Sequence, residues 1–433
     1  MSTQFPDSLW VNTATPLAPN PALEGDSSCD VVVIGAGFTG LRAALQLGEA
    51  GSRVIVLDAG DVGWGASGRN GGQVNPMLPF NTPDKLMQLV GPKYFDRLTE
   101  TSLDSADALF ALINQYGIDC QARQKGWLRV DHCEQARKVS ASNTEIWNRY
   151  GADMQVVEGD EVARLSGSSH YRSGVVAPRG GAVQPLSLAR GLARAAMEAG
   201  VTIHGQTAVT GLSEKGKGWT VKTASGKVSA EWVIFAANGY TDGLCDGLAR
   251  SIIPLVSIQI ASDPLSPRQI ESILPEGHTI SDTRRVIMYS RREPDDRLVF
   301  GSVGKLGANE QFAGFEWLLR DARRVFPQLG EINRGEVNWR FRWGGKIAIT
   351  EDRLPHFHEP RKGLIAGLGY NGRGVAMSHV MGLTLAQRVL GAVPESLPFP
   401  STAIKSIPFR AIQMMGKGSV VQLMRMLDYL ESR

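Results

Sequence analysis

The sequence contains 433 residues, of which 42% are hydrophobic, so the chain can bury the core of a large globular protein with two or three domains. Lysine and arginine number 46 against 43 acidic residues, and so small a positive excess argues against nucleic acid as a partner. The four cysteines lie far apart without a C-x-x-C pair, which indicates neither a zinc site nor a disulfide framework, and we expect no bound metal.

The first 28 residues predict an extended N-terminal arm, in which an apolar anchor such as Trp10 packs on the body of the protein. This arm is polar and rich in proline, and it lacks the basic stretch and the apolar core of a secretory signal. No run of the sequence approaches the roughly 18 apolar residues that cross a bilayer. We therefore expect a cytoplasmic protein without a transmembrane segment.

Residues 30–57 have the pattern of a βαβ unit. Residues 30–34 form a β-branched run typical of a buried parallel strand, residues 39–50 have helical spacing, and residues 53–57 are apolar again. A turn at residues 35–40, with the sequence Gly-Ala-Gly-Phe-Thr-Gly, joins the first strand to the helix. This context makes an otherwise weak G-x-G-x-x-G pattern informative, and it predicts a dinucleotide site.

Each glycine of this turn has a physical role in such a site. Gly35 permits the tight turn, Gly37 lets the backbone approach a pyrophosphate, and Gly40 allows the helix to pack closely on the strand. Asp58 ends the second strand, where its carboxylate can accept hydrogen bonds from a ribose diol and would repel the 2′-phosphate of NADP. The motif leaves FAD and NAD both open, and a glycine-rich turn in another α/β protein is the structural alternative.

A second glycine-rich segment, residues 63–73, holds five glycines in eleven residues. Such a backbone can lie flat against a large planar ligand, while polar side chains donate to a phosphate, a ribityl chain or the polar edge of an isoalloxazine. The polar side chains are Ser67, Arg69, Asn70 and Gln73. NAD does not need such a stretch, so the segment favours FAD, with a flexible surface loop as the alternative.

The middle of the chain alternates between two kinds of pattern. Residues 83–150 have helical spacing without a phosphate-type glycine loop and predict an inserted cap. Residues 201–237 predict β-hairpins that lead to a buried strand at 232–236, where the sheet of the cofactor domain resumes. Residues 252–333 mix short strands with a helix at 316–326. The chain is therefore expected to cross between two domains repeatedly.

A third glycine-rich turn, residues 367–374, follows the apolar strand 364–366 and precedes a helical run at 375–390. A helix N-terminus aimed at the N1–C2=O edge of a flavin would stabilise its anionic reduced form, because the helix dipole supplies partial positive charge there. Arg373 can add a full charge, with a solvated surface position as the alternative.

Residues 401–433 predict a partly helical tail packed on the body of the protein. Four apolar residues recur there at the spacing of one helix face, namely Val420, Leu423, Met424 and Leu427. A contact with a membrane or with another subunit is the alternative for this face.

Together these motifs resemble the D-amino-acid-oxidase-like superfamily of FAD-dependent amine oxidoreductases and, within it, the bacterial γ-glutamylputrescine oxidase group. The matching stretches span most of the chain and are residues 29–60, 62–73, 289–301, 343–355 and 367–382. The resemblance implies an α/β fold (α+β overall), with a Rossmann-type FAD-binding domain assembled from three segments and a substrate domain whose antiparallel sheet and helices cover the flavin. We assign residues 29–82, 155–250 and 335–395 to the FAD-binding domain, 83–154 and 251–334 to the substrate or cap domain, 1–28 to the arm and 396–433 to the tail.

The resemblance also implies how FAD is held. Val209 is expected to meet the adenosine through its backbone, and the strand end at residues 236–239 to pass near the cofactor. Relatives often tether FAD through a histidine near the early glycine loop or a cysteine ahead of the C-terminal loop. This chain has no histidine in residues 58–73 and no cysteine after Cys245, so we expect noncovalent FAD. The predicted cofactor-binding residues are Gly35, Gly37, Phe38, Thr39, Gly40, Asp58, Ala59, Gly65, Ala66, Ser67, Arg69, Asn70, Gly71, Gly72, Gln73, Val209, Ala236, Asn238, Gly239, Gly367, Gly369, Tyr370, Asn371, Gly372, Arg373, Gly374 and Val375.

The activity implied by the resemblance is oxidation of a C–N bond in a small amine, such as a γ-glutamyl polyamine, by hydride transfer to flavin N5. Hydrolysis of the imine and reoxidation by O2, which gives H2O2, complete the expected reaction. Tyr289, Trp343 and Tyr370 are the candidate catalytic residues because aromatic walls suit an amine placed over a flavin, although each can equally be core. In sarcosine-oxidase-like relatives a lysine after the C-terminal loop helps hold a carboxylate, and Ala376 at that place argues against simple N-methyl amino acids.

Other polar side chains and other functions stay open at this stage. Arg291, Arg342 and His379 can pair with a substrate carboxylate, with a surface role preferred for Arg291 and His379. An amino- or imino-acid dehydrogenase that passes electrons to a quinone or a carrier is the second enzyme hypothesis. A noncatalytic FAD-binding protein is the third hypothesis, and the sequence does not determine the oligomeric state.

Overall fold

The computed structural model describes residues 4–76, 81–307, 311–330 and 337–432, and the domain boundary predicted after residue 334 lies outside them. Within these ranges the α-helices are α1 Leu9–Thr13, α2 Phe38–Glu49, α3 Pro83–Val90, α4 Pro92–Gln115, α5 Glu134–Asn148, α6 Gly159–Ser166, α7 Pro185–Glu198, α8 Pro267–Ser272, α9 Phe315–Val325, α10 Gly374–Val389 and α11 Arg410–Glu431. The strands are β1 Ser27–Ser28, β2 Val31–Ile34, β3 Val54–Leu57, β4 Gln73–Val74, β5 Trp127–Val130, β6 Gln155–Glu158, β7 Ser173–Ala177, β8 Gly181–Ala182, β9 Thr202–His204, β10 Val209–Lys215, β11 Gly218–Thr223, β12 Lys227–Ala230, β13 Trp232–Phe235, β14 Ile253–Ala261, β15 Thr279–Asp282, β16 Met288–Arg292, β17 Leu298–Val303, β18 Lys305–Leu306, β19 Phe312–Ala313, β20 Phe341–Ile349, β21 His356–Arg361 and β22 Leu364–Leu368.

A six-stranded sheet forms the centre of one of the two large parts of the molecule, in the order β21-β22-β13-β2-β3-β9. All neighbours are parallel except the antiparallel edge pair β21 and β22. Every residue of β2 and β3 is buried, as expected for apolar runs covered on both faces of a parallel sheet. The βαβ unit predicted from residues 30–57 is therefore present, and the predicted strand at 232–236 is its neighbour β13.

Alternation along β2 explains how this sheet is covered on both sides. Val31 and Val33 pack in one apolar cluster with residues of α2, α7 and α10. Val32 and Ile34 pack in another with Val221 of a second, four-stranded sheet, ordered β1-β12-β11-β10. Because successive side chains of a strand point to opposite faces, β2 contributes to two apolar cores, one on each face of the six-stranded sheet. The helices, the six-stranded sheet and the four-stranded sheet therefore form three packed layers.

An eight-stranded sheet forms the centre of the other large part of the molecule, in the order β20-β14-β17-β16-β15-β5-β7-β6. Its neighbours are antiparallel except for the parallel pair β15 and β5. A largely antiparallel sheet beside a parallel one confirms the predicted fold class.

The course of the chain differs from the predicted domain boundaries at two places. Residues 155–177 and 341–349 were assigned to the FAD-binding domain, yet β6, β7 and β20 pair within the eight-stranded sheet. The register of β20 runs against β14 over all nine residues of each strand. Alternating apolar residues identify a strand, but they do not reveal which distant strand will complete its hydrogen bonds, so the local pattern could not assign these segments.

The C-terminal helix α11 contacts the body of the protein through residues other than those of its predicted packing face. The four apolar residues that define its predicted packing face, Val420, Leu423, Met424 and Leu427, are between 36% and 53% exposed. The buried residue of this helix turn is instead the polar Asp428. Among the described residues, no helix is long and apolar enough to cross a membrane.

Candidate active site

A cavity of about 990 Å³ lies between the two large sheets. Its floor includes Ile34, Leu57 and Phe235, the last residues of β2, β3 and β13. Ligands of open α/β sheets bind outside the carboxyl ends of the strands, so the cavity lies where a dinucleotide is expected. All predicted cofactor-binding residues line it except Gly40, Gly72, Gly239, Gly367 and Gly369.

The first glycine turn has the close contacts that its sequence predicts. Gly35 adopts φ +114°, and a Cβ there would lie 2.8 Å from the carbonyl oxygen of Ala236 on the neighbouring strand. A Cβ at Gly40 would collide with the carbonyl oxygen of Gly35, so this glycine serves the packing of helix on strand and does not line the cavity. Only glycine can therefore bring the start of α2 this close to the sheet.

The N-terminus of α2 opens on the cavity. Its N-cap, Gly37, supplies no side-chain cap, and the amide N–H of Phe38 donates to the Ser67 hydroxyl at 2.9 Å. A Cβ at Gly37 would lie 2.8 Å from that hydroxyl oxygen. The first two glycine-rich segments thus meet at a helix N-terminus, which is a suitable place for a diphosphate.

Asp58 connects the ends of the first two strands to the cavity. Its carboxylate oxygens accept hydrogen bonds from the backbone N–H of Ala36 at 2.7 Å and of Gly60 at 2.8 Å. Burial raises the pKa of the Asp58 carboxyl, while these two backbone donors act in the opposite direction. The side chain is therefore held at one orientation beside the place predicted for a ribose.

Two buried tryptophans that do not line the cavity donate hydrogen bonds to the backbone of the second glycine-rich segment. The indole N–H of Trp10 donates to the carbonyl oxygen of Asn70 at 2.8 Å, and that of Trp343 donates to the carbonyl oxygen of Arg69 at 3.0 Å. The two indole rings meet edge to face with centroids 5.5 Å apart. Trp10 thus anchors the N-terminal arm, as predicted. Trp343 is 1% exposed and is not among the residues that line the cavity, so its indole contacts the second glycine-rich segment on the side away from the cavity.

Both candidate tyrosines line the cavity with their hydroxyl groups engaged. The Tyr289 hydroxyl lies 2.7 Å from the Ser257 hydroxyl, and the Tyr370 hydroxyl lies 2.5 Å from that of Thr39. Burial raises the pKa of both phenols, so they are neutral at physiological pH. A Cβ at Gly71 would lie 2.8 Å from the Tyr289 ring, which shows how closely this ring approaches the second glycine-rich segment.

Arg291 is the clearest correction to the sequence interpretation, which preferred a surface position for it. It is 1% exposed, and its guanidinium donates to Glu293 and to the carbonyl oxygens of Gly72 and Val183. Its guanidinium carbon lies 4.8 Å from the centroid of the Trp10 ring. The alternation of Tyr289 and Arg291 along β16, continued by Glu293 just after the strand, was the available signal, because residues two apart share a face.

Two other polar residues, His379 on α10 and Arg373 at its N-cap, are buried, whereas the sequence favoured a surface position for His379 and left one open for Arg373. His379 is 7% exposed, and burial, with a smaller effect of the Arg42 charge, lowers the pKa of its imidazole to about 3. Arg373 is likewise 7% exposed and lies over the Trp127 ring at 4.5 Å from its centroid. A solvated surface position for Arg373 is therefore wrong.

The roof of the cavity contains polar residues that, apart from Tyr289, the sequence interpretation missed. One face of the eight-stranded sheet presents Arg129, Ser257, Gln259, Ser281 and Tyr289 to the cavity. The alternate residues of the same strands, Leu128, Ile258, Ile260, Ile280 and Met288, form an apolar core on the other face. Strict alternation of this kind was visible in the sequence, but only the cavity shows which set faces a ligand.

The residues around the cavity fit a flavin dinucleotide. The glycine turn at α2 and the N-terminus of α10 both open on it, so one ligand can meet an early and a late strand-to-helix turn. Among the described residues that line it there is neither histidine nor cysteine, the two side chains that were considered for a covalent link. The site therefore suits FAD held without a covalent bond.

A parallel sheet with two helix N-termini on a shared cavity, roofed by a largely antiparallel sheet, defines a two-domain flavoprotein. The chain belongs to the family of FAD dependent oxidoreductases designated DAO, whose pattern matches residues 30–388. The enzyme is accordingly an FAD-dependent oxidoreductase of the group that acts on amines and amino acids.

Individual relatives agree with this assignment. A probable oxidoreductase OrdL of Haemophilus influenzae is 32% identical over 397 residues, which cover 88% of each chain. Gamma-glutamylputrescine oxidoreductase of Escherichia coli is 30% identical over 420 residues, which cover 95% of this chain and 97% of the relative. The crystal structure of glycine oxidase from Geobacillus kaustophilus superposes with a TM-score of 0.71 at 22% identity, covering 88% of this chain and 98% of that one. This last similarity concerns the fold.

Proposed function

We propose that the protein oxidises a C–N bond of a small amine, a γ-glutamyl polyamine or a related compound, with noncovalent FAD as cofactor and O2 as final acceptor. The observation that carries this proposal is the shared cavity, which joins the glycine turn at α2, the N-terminus of α10 and the polar face of the roof. The substrate class is supported by the similarity to gamma-glutamylputrescine oxidoreductase along nearly the whole of both chains.

The bound flavin would accept the hydride that leaves the carbon next to nitrogen, so that the C–H bond breaks, the amine nitrogen loses a proton and the C–N bond becomes the C=N bond of the imine. The chain itself would orient the amine and exclude water. Tyr289 and Tyr370 suit this role because each phenol is fixed by a hydrogen bond to another side chain and presents its ring at the cavity wall. Neither phenol is expected to act as a base, since burial raises the pKa of each.

The test is an anaerobic titration of the purified holoprotein with γ-glutamylputrescine, putrescine, proline and sarcosine. We expect γ-glutamylputrescine to bleach the oxidised flavin spectrum, and readmitted air to restore it with release of peroxide. The rate should rise with pH, because the neutral amine is the reactive form. A flavin that no amine bleaches would refute the proposed activity. Bleaching without peroxide on readmission of air would instead favour a dehydrogenase.

A further inference from the structure

Three side chains of the types that bind zinc meet beside the cavity, and none of them is among the described residues that line it. His132 and Cys133 lie between β5 and α5, and Glu431 is the last residue of α11. The imidazole, the thiol and the carboxylate each offer one ligand atom, and these three atoms lie within 4.8 Å of one another. The spacing of the cysteines could not predict this cluster, because 299 residues separate His132 from Glu431.

The distances between the ligand atoms suit a tetrahedral zinc ion. Zinc binds imidazole nitrogen and carboxylate oxygen at about 2.0 to 2.2 Å and thiolate sulfur at about 2.3 Å, so its ligand atoms stand about 3.3 to 3.8 Å apart. The His132 Nε2 lies 3.4 Å from the Glu431 Oε2. The other separations, at no more than 4.8 Å, need side-chain rotations that move an atom by about 1 Å.

The imidazole of His132 is oriented as a metal ligand. Its Nδ1 lies 2.8 Å from the Thr283 hydroxyl oxygen, and its side chain is 6% exposed. When the Nδ1–H group donates to this hydroxyl, Nε2 keeps a free lone pair on the side of Glu431. Thr283 therefore supplies the outer hydrogen bond that fixes the ring orientation and the tautomer of a metal-binding histidine.

The charges around this cluster favour a cation. The Arg285 guanidinium donates to both carboxylate oxygens of Glu431 and also to Asp428. One arginine therefore faces two carboxylates, and a coordinated Cys133 thiolate would add a third negative charge. A carboxylate has about four lone-pair sites, so Glu431 can bind a metal ion through Oε2 and still accept hydrogen bonds from Arg285.

We propose that His132, Cys133 and Glu431 form a zinc site whose fourth position is open to water. Zinc is the expected ion because one nitrogen, one sulfur and one oxygen donor match its borderline softness. The thiol releases its proton to the solvent when it coordinates the ion. Bound zinc ties the end of α11 to the turn between β5 and α5, and α11 carries Val420 and Met424 at the cavity.

The binding test is a calorimetric titration with Zn²⁺ of the FAD-loaded protein, first freed of metal with EDTA. We expect one zinc ion per chain. Cys133→Ser should raise the dissociation constant by at least about 100-fold, because the thiolate is the softest ligand. Thr283→Val should raise it by about 10- to 100-fold, the usual effect of losing an outer hydrogen bond. His204→Gln and Glu145→Gln, on other parts of the chain, should bind zinc like the wild type.

The second test replaces Zn²⁺ by Co²⁺, whose visible d–d bands are strong in a tetrahedral site and weak in an octahedral one. Strong bands should appear beyond the flavin absorption in the wild type and be absent in Cys133→Ser. Zinc should also slow proteolytic cleavage within α11 in the wild type and not in this variant.

Two outcomes would overturn the zinc site. One is equal zinc affinity in the wild type and Cys133→Ser, and the other is a wild type that shows only the weak bands of octahedral Co²⁺. Thermal unfolding in EDTA checks that the variant is folded, and Glu431→Gln, at an exposed residue, supplies the same comparison if it is not. Neither titration involves turnover, so the result does not depend on the proposed activity.

Discussion

The hydroxyl oxygen of Tyr370 lies 2.5 Å from the hydroxyl oxygen of Thr39, although 331 residues separate them in the sequence. Thr39 belongs to the first glycine turn and Tyr370 to the C-terminal one, and both side chains are buried at the cavity. This hydrogen bond therefore joins the two strand-to-helix turns that a flavin dinucleotide would bridge.

Removing this bond should loosen the contact between the two turns. We expect Tyr370→Phe to lower the free energy of unfolding by about 1 to 2 kcal/mol, because the Thr39 hydroxyl loses its buried partner. A double-mutant cycle with Thr39→Val, followed by urea unfolding of the FAD-loaded protein, measures the coupling. Tyr150→Phe, at an exposed position, is the control. Purely additive single effects would show that the two hydroxyl groups do not interact.

Asp58 should control the affinity for FAD. The amide of Asp58→Asn has one acceptor oxygen for the two backbone N–H groups of Ala36 and Gly60, so one of these two hydrogen bonds is lost. The amide is also a weaker acceptor than the carboxylate for the hydroxyl groups of the FAD ribose. We expect the dissociation constant for FAD to rise by at least about tenfold, the effect of roughly 1.4 kcal/mol. Flavin fluorescence released on dilution measures it. Asp246→Asn, at an exposed residue, should retain FAD. Equal retention by Asp58→Asn would contradict the role assigned to the carboxylate.

The buried pair of Arg291 and Glu293 should be costly to break. We expect Arg291→Met to lower the free energy of unfolding by about 3 kcal/mol, because buried Glu293 keeps only the Arg123 guanidinium, 3.7 Å away, and the carbonyl oxygens of Gly72 and Val183 lose their donor. The double variant with Glu293→Gln should recover part of this loss. Arg149→Met, which breaks an exposed ion pair, should cost about 0 to 1 kcal/mol. Guanidinium unfolding compares the variants, and equal losses at the two positions would refute the difference between them.

Asp428 should hold the C-terminal helix against the rim of the cavity. Its carboxylate accepts hydrogen bonds from the backbone N–H of Arg285 and of Val286, on a segment that lines the cavity, and α11 itself contributes Val420 and Met424 to the lining. We expect Asp428→Ala to speed proteolytic cleavage within α11 and to change KM for the amine more than kcat. Glu431→Gln, at an exposed ion pair of the same helix, is the matched control in metal-free buffer. A digestion pattern identical to the wild type would argue against this anchor.

His379 should make the protein sensitive to acid. Its folded-state pKa is lowered to about 3, whereas an unfolded histidine takes up a proton near pH 6.5, so this contribution to stability is complete above pH 6.5 and is lost as the pH falls below it. The free energy of unfolding of the wild type should fall as the pH decreases from 6.5 to 4.5. In His379→Gln we expect the slope of this fall to be smaller than in the wild type by up to about 1.4 kcal/mol per pH unit. Urea unfolding across this range measures the slope, with His204→Gln as control. Parallel curves for wild type and His379→Gln would count against the buried neutral imidazole.

The sequence by itself determined the cofactor half of the protein. The strand, glycine turn, helix and acid of residues 30–58 form a local unit, and the glycines of its turn are required by contacts within that unit, with the end of the adjacent strand or with nearby Ser67. Steric constraints of this kind act between residues that are close in the sequence. The βαβ unit, the second glycine-rich segment and the C-terminal turn at residues 367–374 could therefore all be predicted. The likeness of these motifs to a known family extended the prediction to FAD and to amine oxidation.

Only the tertiary structure decided what surrounds the flavin. The strands β6, β7 and β20 belong to the eight-stranded sheet because they form backbone hydrogen bonds with strands that are distant in the sequence. The alternation of apolar residues within a strand does not determine which strand it pairs with. The same holds for polar side chains: the sequence favours a surface position for Arg291 and His379, yet packing against distant segments buries both. Whether a polar side chain meets water, a partner or an open cavity depends on neighbours that the chain brings together only when it folds.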